Sequence, residues 1–394
     1  MTVHLLGVMI KNRKILSIEV IVLKIVIKQK GEHMTNREAQ IFQWIMENPM
    51  ISQEELAAKA GIARSSAAVH ISNLMKKGYI LGKGYVTNGP DYCVVIGSAG
   101  VDIGGMPHDI LVEGGTSEGR AVWSLGGVGR NIAHNLRLLG IGTKLITAIG
   151  NDTYARRIIE SCEELGIDLA DSLKTAKADT SVYLYIADEQ GNRKLAISDT
   201  RIYENLTANF VAAKMELLNK ARMVILDTNI PEETIAQVCG RCRAPIFAMP
   251  VSARSTERLL EVLDKISVVV CYKSEAEVLS GIRIHDKDTL ERAADIIMEK
   301  GVKNVFILAE KGGVYCACYD EQFMQGKIST EQLNPGGAED AFMAGVILGY
   351  MKHMGIRQMA KLGQAALGIA MEVEDTINTQ LCVPAVAERA KVDL

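Results

Sequence analysis

Aromatic side chains are scarce in this chain of 394 residues, where Phe, Trp and Tyr together make up 5%. So small a supply argues against an extended stacking platform for single-stranded nucleic acid. An excess of one charge is also lacking, because 44 Lys and Arg side chains stand against 47 Asp and Glu side chains. The protein as a whole is therefore not a polyanion binder, and any surface for nucleic acid must be local.

Long uninterrupted apolar segments are missing as well. Residues 15–27 are rich in Ile and Val, but Glu19 and Lys24 interrupt them and the stretch is too short to span a bilayer. The basic residues ahead of it are not followed by a small-residue cleavage site, which argues against a signal peptide. Patterned sequence begins at Met34, so we expect residues 1–33 to be a non-native or disordered extension and expect no membrane association.

The eight cysteines are scattered along the chain instead of forming a disulfide framework. With no sign of secretion, this distribution predicts free thiols in a reducing cytoplasm. Apolar residues make up 48% of the chain, which is enough for a large buried core. The length allows two or three domains, and a turn-rich joint at residues 88–91 separates two regions of different pattern.

The region at residues 34–88 has the pattern of a small helical module that ends in a hairpin. Apolar residues recur at helical spacing over residues 37–47. Ser52 and Glu55 form a capping box ahead of a second helix, and a third helix is expected over residues 63–77. Two short alternating runs around a Gly-Lys-Gly turn then predict a hairpin, or wing.

This order of elements resembles the winged helix-turn-helix of bacterial regulators. In such modules the third helix enters the major groove of double-stranded DNA, while lysines near the wing meet phosphates. A protein–protein module built from the same elements is the alternative. The resemblance implies DNA contacts from Arg64, Ser65, Ser66, His70 and Lys83.

Strand-like and helical runs alternate over residues 91–385, from Tyr92–Ile96 onward. This alternation predicts a mostly parallel sheet with helices on both faces. Ligands of such sheets bind at the carboxyl ends of the strands. Residues 121–124 and 181–197 instead alternate polar and apolar side chains, which predicts a small β lid over that edge.

A glycine-rich segment at residues 126–133 leads into a helix. Glycine lets backbone amides approach a polar ligand closely, and the start of the helix points donors at it. The dinucleotide-binding spacing G-x-G-x-x-G is not met, because Ile132 holds the position of the last glycine. Asp102, which we expect at the end of the first strand of this region, can accept two hydrogen bonds from ligand hydroxyls or can simply be a turn residue.

A second loop of small residues begins at Asn334 and opens a helix whose first turn carries Asp340. Amides without helical partners and the helix dipole can hold the charge that develops on a transferred phosphoryl group. The Asp340 carboxylate can take the proton of the attacking hydroxyl. An ordinary acidic helix start is the plainer alternative.

In this order, Asp102 and the segments at residues 126–133 and 338–345 resemble the ribokinase-like, or PfkB, carbohydrate kinase family. The likeness covers residues 91–384 and is greatest to pseudouridine kinase and its sugar-kinase relatives that carry a helix-turn-helix. It implies a ribokinase-like α/β fold, ATP and Mg²⁺ as cofactors, a nucleoside or sugar acceptor, and a homodimer.

The resemblance also implies roles for individual residues. Asp340 would be the general base, and Glu275 would organise Mg²⁺ through water. The anion hole would be formed by amides of Gly337, Ala338 and Glu339. The acceptor would be bound by Asp102, Gly126, Gly127, Asn131 and Asn229.

Three positions depart from the family pattern, and all three lie on the nucleotide side. Glu339 replaces the second glycine of G-A-G-D, Tyr272 replaces the Asn of N-x-x-E, and Ala309 replaces the glycine of T-L-G. If the domain is an active kinase, it is expected to phosphorylate a hydroxymethyl group of a nucleoside or pentose, and pseudouridine is the first candidate. The alternative is a transcriptional regulator that senses this ligand through a catalytically weakened kinase domain.

Overall fold

The computed structural model describes residues 34–48, 51–80, 92–112, 114–309, 313–326 and 336–394. The chain divides between residues 90 and 91 into two compact units. The expected extension at residues 1–33, the turn of the wing with Lys83, and Asn334 lie outside the described residues.

The described part of the first unit contains three helices, two of which start at capping boxes. Helix α1 (Asn36–Glu47) follows the N-cap Thr35 and α2 (Gln53–Ala60) follows the N-cap Ser52. Helix α3 (Arg64–Lys76) comes after a short turn. The three helices share a small core of Ile41, Ile45, Ile51, Leu56, Ile71, Leu74, Tyr79 and Ile80.

The second unit is built from strands that alternate with helices, and the described helices include none long and apolar enough to cross a membrane. Its strands are β1 (Tyr92–Ile96), β2 (Gly100–Pro107), β3 (Gly119–Gly126), β4 (Gly142–Ile146), β5 (Ala148–Ile149), β6 (Leu173–Lys174), β7 (Ser181–Ala187), β8 (Arg193–Asp199), β9 (Val224–Asp227), β10 (Ile246–Met249), β11 (Ile266–Tyr272), β12 (Asn304–Leu308), β13 (Val314–Cys318) and β14 (Gln322–Gln325). Its helices are α4 (Val128–Leu138), α5 (Thr153–Leu165), α6 (Ala208–Ala212), α7 (Met215–Lys220), α8 (Glu232–Arg241), α9 (Ala253–Thr256), α10 (Lys273–Ser280), α11 (Lys287–Glu299), α12 (Ala338–Met351), α13 (Ile356–Ala370) and α14 (Val383–Ala390), with 3-10 segments at Arg201–Asn205 and Glu257–Lys265.

Eight strands form the main sheet in the order β14-β13-β12-β11-β10-β9-β1-β4. The strands from β12 to β4 pair in parallel, while β13 and β14 add an antiparallel edge. Alternate residues serve the two faces: in β1, Cys93 and Val95 belong to one core, and Val94 and Ile96 belong to the other. Helices α4, α12 and α13 pack on the first face and α8, α10 and α11 on the second, so the predicted α/β architecture is confirmed.

A separate four-stranded sheet has the order β3-β2-β7-β8 and is the predicted lid. Strands β7 and β8 form a hairpin, β2 and β3 pair antiparallel, and β2 and β7 pair in parallel. Strand β2 follows the carboxyl end of β1, and its first residue Gly100 pairs with Ser181, the first residue of β7. The lid therefore begins at the edge where parallel sheets bind ligands.

The position of Asp102 differs from the expectation. It is the third residue of the lid strand β2, and not the end of β1, because the chain turns after Ile96 and starts a new strand at Gly100. The three glycines of β2 hid the alternation typical of a strand. In the structure, glycine lets the neighbouring strand approach closely. A Cβ at Gly100 would lie only 2.6 Å from the Ser181 carbonyl oxygen.

Candidate active site

The glycine-rich segment brings the lid strand, the turn after β1 and helix α4 into close contact. Gly127 has φ of 92° and is the N-cap of α4. A Cβ on Gly127 would lie 2.6 Å from the Ala99 Cα, so only glycine fits there. A Cβ on Gly126 would lie 2.4 Å from a carboxylate oxygen of Asp102. The predicted residues Asp102, Gly126 and Gly127 therefore lie together.

Asp227, at the end of β9, joins this segment to the centre of the sheet. Its fully buried carboxylate accepts hydrogen bonds from the backbone amides of Ser98 (2.6 Å), Gly129 (3.0 Å) and Asn229 (2.9 Å), and from the Ser98 hydroxyl (2.7 Å). The Asn229 amide in turn donates to the Ser98 hydroxyl at 3.0 Å, which places Asn229 beside the start of α4. Asp227 is not among the residues predicted from the sequence. A carboxylate at the end of a buried strand nevertheless indicates hydrogen-bond partners, because buried polar groups are almost always paired.

Asp340 lies in the first turn of α12, three residues after the N-cap Gly337, whose φ is 79°. Its side chain is 1% exposed, and Oδ2 accepts a 2.9 Å hydrogen bond from the Asn131 side-chain amide. Oδ1 has no hydrogen-bond partner among the described residues. Burial, reinforced by the neighbouring Glu339 carboxylate, raises the pKa of Asp340 well above its usual range. The structure thus joins two of the predicted residues into one buried pair.

Arg130, which sequence reasoning passed over, fixes the orientation of the Asn131 amide. Its guanidinium is 4% exposed and donates to Asn131 Oδ1 at 2.9 Å, so Asn131 Nδ2 must point at Asp340. The same guanidinium contacts His134 Nδ1 at 3.2 Å, and that nitrogen must accept because guanidinium can only donate. Burial and the Arg130 charge lower the pKa of His134 to about 4, so the imidazole is neutral near pH 7.

The phosphate side of the site contains a contact between two of the residues that depart from the family pattern. The Tyr272 hydroxyl donates to the Glu339 carboxylate at 3.2 Å. Burial raises the pKa of Glu339, and hydrogen bonds from its own backbone amide and from the Tyr272 hydroxyl oppose that rise. Ala338 and Gly337 precede Glu339 at the same helix start. The expected anion-hole segment therefore carries a carboxylate directly beside its amides.

Glu275, the expected Mg²⁺ organiser, lies in the first turn of α10 and is 6% exposed. Its two oxygens already accept hydrogen bonds, one from the Tyr272 backbone amide at 2.9 Å and one from the Ser274 hydroxyl at 3.0 Å. Each oxygen keeps a second lone pair, which suits contact with a hydrated metal better than direct ligation. Among the described residues, no group of three or more His, Cys, Asp or Glu side chains could hold a metal ion.

Asp102 occupies different surroundings from Asp340. Burial raises its pKa to about 6, and the charges of Arg130 and Arg193 oppose the rise. Within the described part of the chain its carboxylate accepts no hydrogen bond, so both oxygens can accept from ligand hydroxyls. The arrangement can thus hold an acceptor at Asp102, remove a proton at Asp340 and accommodate an anion at the start of α12.

Four of the five predicted DNA-contacting residues lie along α3 of the first unit. Arg64, Ser65 and Ser66 are exposed, although Arg64 forms a 3.0 Å ion pair with Glu54 on α2. His70 is half-buried, and Lys83 lies outside the described residues. Val69, which sequence reasoning overlooked, is 58% exposed on this helix, and an apolar side chain there can contact a thymine methyl group.

Comparison with known families gives two matches along the chain. The description pfkB family carbohydrate kinase applies to residues 90–382, and the description winged helix-turn-helix DNA-binding applies to residues 34–80. The chain is 33% identical to the uncharacterized sugar kinase YeiI of Escherichia coli, over 86% of this chain and 94% of that protein. It is 31% identical to the pseudouridine kinase of Escherichia coli, over 74% of this chain and 94% of that protein.

A solved structure shows the same fold at low sequence identity. Arabidopsis thaliana ribokinase complexed with ribose and ATP aligns with a TM-score of 0.68 at 19% identity, over 77% of this chain and all of that one. The second unit therefore has the ribokinase-like α/β fold, and a winged helix-turn-helix region precedes it.

Proposed function

Because this chain belongs to the pfkB family of carbohydrate kinases, we propose that it transfers a phosphoryl group from ATP to a hydroxymethyl group of a nucleoside or pentose. The relation to a pseudouridine kinase makes pseudouridine the first acceptor to test. The observation that carries the proposal is the buried Asp340 carboxylate at a helix start. Asn131 holds one of its oxygens, and the other has no partner in the part of the chain that the structure describes.

The proposed reaction divides the work among residues that the fold brings together. Asp102 accepts hydrogen bonds from two acceptor hydroxyls, and the backbone at Gly126 and Gly127 approaches the same ligand, with Asn229 close by. Asp340 takes the proton of the attacking hydroxymethyl group through its Oδ1 atom. A raised pKa makes Asp340 a stronger base once it is ionised.

Amides of Gly337, Ala338 and Glu339 lack helical partners and donate to the anionic oxygens of the transferred group. Mg²⁺ bound with ATP supplies neutralising charge, and Glu275 would hold it through water. The backbone and dipole of α12 then stabilise charge that moves from the attacking oxygen toward the leaving phosphate.

The test is phosphoryl transfer by the full chain. Purified protein is incubated with Mg-ATP and pseudouridine, uridine or ribose, and products are identified by mass spectrometry. We expect a monophosphate of at least one acceptor. Acceptors and ATP that bind without any phosphorylated product would contradict the proposal.

A second function is favoured by the winged helix-turn-helix region and by the Tyr272–Glu339 contact on the phosphate side. In this alternative the second unit senses a nucleoside, and binding changes the affinity of the first unit for double-stranded DNA. Coupling of this kind requires the ligand to bind two states of the protein differently.

The regulator is tested by DNA selection followed by binding measurements with and without saturating pseudouridine. A shift of tenfold or more in the dissociation constant would support sensing. An unchanged constant at saturating ligand would count against it. A cytoplasmic location and the domain limits 34–88 and 91–385 remain predictions from the sequence.

A homodimer is also proposed, with the lid as its contact surface. The side of the lid opposite Asp102 is apolar and solvent-exposed, and β7 and β8 supply cross-strand pairs such as Leu184 with Ile197. Exposed apolar patches of this kind mark interaction surfaces. The exposed apolar residues of this side are Trp123, Leu184, Ile186, Leu195 and Ile197.

A further inference from the structure

The Asp102 side of the lid carries aromatic residues in a chain that has few of them. Strand register places Asp102 opposite Tyr183, and Gly104 opposite Tyr185. Side chains two residues apart on a strand share a face, so both tyrosines lie on the face of Asp102. The opposite face holds the exposed apolar residues, so the two faces of the lid have different chemistry.

The two tyrosines are held against the sheet. A Cβ on Gly104 would lie 2.5 Å from the Tyr185 Cζ atom, so the Tyr185 ring covers this glycine and any larger residue would displace it. The Tyr183 and Tyr185 ring centroids are 5.9 Å apart, and the rings are tilted by 32°. Together they form a small aromatic layer beside the carboxylate that is proposed to bind acceptor hydroxyls.

Arg193, the first residue of β8, lies over this layer. Its guanidinium carbon is 5.3 Å from the Tyr183 ring centroid and 5.8 Å from that of Tyr185, and Nη1 donates to the Tyr183 hydroxyl at 2.5 Å. The strand bulge between Ile186 and Ala187 brings Arg193 opposite Ala187, so the side chain can reach back along the lid.

Among the described residues, most N–H groups of the Arg193 guanidinium have no partner, so they remain available to a ligand. Of its five N–H groups, only the one on the Tyr183 hydroxyl has a partner among the described residues. Its charge favours the ionised forms of both Asp102 and Glu339. Arg193 therefore lies within electrostatic reach of the acceptor end and the phosphate end of the site.

We propose that Arg193, held over Tyr183 and Tyr185, recognises a planar heterocycle with carbonyl oxygens, as in a uracil nucleoside. This inference rests on the proposed function and names the acceptor class for the same site. Asp102 can only accept hydrogen bonds when ionised, so it suits sugar hydroxyls. Arg193 can only donate, so it suits an oxygen that can only accept.

A flat ring fits better than a free sugar for a second reason. The guanidinium plane over two aromatic rings offers a surface on which a planar heterocycle can stack while its carbonyl oxygens receive hydrogen bonds. A pentose provides neither a flat face nor a carbonyl oxygen in its ring form. A sugar acid, like the nucleoside, offers oxygens that accept hydrogen bonds, but it lacks the flat ring. Binding of a sugar acid therefore distinguishes recognition of such an oxygen alone from recognition of a planar heterocycle.

The test measures binding by calorimetry, without ATP, to the full chain and to Arg193→Met and Arg193→Lys. The ligands are pseudouridine, uridine, ribose and ribonate. We expect Arg193→Met to weaken binding of the nucleosides about tenfold or more, which is the loss of one or two charge-assisted hydrogen bonds, and to change ribose binding less than about twofold. Arg193→Lys keeps the charge without the planar fork and should recover only part of the loss.

Arg357→Met is the matched control, because Arg357 also lies over an aromatic ring, Phe323 at 4.1 Å, but on α13. Melting curves confirm that each variant folds. Equal losses for nucleosides and ribose, no loss at all, a selective loss for ribonate, or a wild type that binds ribose but neither nucleoside would each overturn the inference. Nucleosides that bind through Arg193 but are never phosphorylated would instead overturn the proposed kinase and leave Arg193 recognition standing.

Discussion

Two carboxylates of the second unit lie in different surroundings, and this difference separates their proposed roles. Asp340 is fully buried, shares its helix start with Glu339 and is held by Asn131. Asp102 is only partly buried and lies near the cations Arg130 and Arg193. The pKa of both carboxyls is raised, so it is their contacts that separate the roles: Asp340 is held by Asn131 at a helix start, whereas Asp102 accepts no hydrogen bond within the described part of the chain.

The binding role of Asp102 predicts a pH dependence. Its pKa in the folded protein is raised from 3.8 to about 6, so it gains a proton as pH falls through about 6 and then accepts fewer hydrogen bonds. Acceptor affinity should therefore be constant above pH 7 and fall about tenfold per pH unit well below 6. Calorimetric titrations between pH 4.5 and 8 would measure this.

The raised pKa of Asp102 makes the pH dependence of stability opposite to that of acceptor binding. A raised carboxyl pKa means that the folded state holds the proton more tightly, so ionisation of Asp102 costs stability as pH rises from about 4 to 6. Asp102→Asn should therefore raise the melting temperature of the ligand-free protein at pH 7 while it abolishes the pH dependence of binding. A variant that keeps the wild-type pH profile would contradict the assignment.

The carboxylate of Glu339 should weaken the binding of ATP. This carboxylate lies where phosphate oxygens are expected, and repulsion between like charges about 4 Å apart amounts to ~1–4 kcal/mol, depending on screening. Glu339→Gly should therefore bind ATP at least about fivefold more tightly than the wild type, as measured by calorimetry.

Glu339→Gln separates charge from bulk, because it keeps the shape and the contact with the Tyr272 hydroxyl. If charge is the cause, Gln should recover most of the gain in ATP affinity. Equal ATP affinity in all three proteins would mean that the site accommodates Glu339 without cost, and that the Tyr272–Glu339 contact keeps the carboxylate out of the phosphate position.

At the scale of elements, the pair α12 and α13 determines where Asp340 lies. The last glycine of the signature at residues 338–345 serves this packing. A Cβ on Gly345 would lie 2.4 Å from the Leu362 carbonyl oxygen, and one on Gly363 would lie 2.8 Å from the Phe342 ring. Two glycines thus let the helices approach closely, and that contact holds the first turn of α12 in place.

Gly345→Ala should force these helices apart, with a cost of ~1–3 kcal/mol in the free energy of unfolding. The matched control is Gly240→Ala in α8, where a Cβ would meet no atom within 4 Å. That change should instead stabilise the protein by ~0.5–1 kcal/mol, because Ala has the higher helix propensity. Urea denaturation measures both, and a neutral Gly345→Ala would contradict the packing argument.

Much of the fold and part of the candidate site could be predicted from the sequence. The alternation of strands and helices is local, and Asn131 and Asp340 each stand in a glycine-rich helix start that is recognisable by itself. Register and long-range contacts are not local. The start of β2 ahead of Asp102 and the bulge that directs Arg193 therefore emerged only from the structure.

For the whole molecule, the two faces of the lid have different proposed roles, with ligand binding on the Asp102 side and subunit contact on the apolar side. If the second face forms the proposed homodimer, Ile197→Lys should give a monomer, because Ile197 is 69% exposed and a buried unpaired lysine would be costly. Light scattering at micromolar concentration checks this. Lys194→Ala at the start of the same strand should leave the dimer intact, and a monomeric wild type would contradict the proposed surface.

The proposed kinase reaction depends on removal of a proton from the acceptor hydroxyl by Asp340. The most direct measurement is single-turnover phosphoryl transfer by wild type and Asp340→Asn, together with the acceptor dissociation constant of each. The rate should fall by about 10²–10⁴-fold while acceptor binding changes little, because Asn keeps the shape but cannot act as a base. A wild-type rate in Asp340→Asn would mean that Asp340 is not the general base.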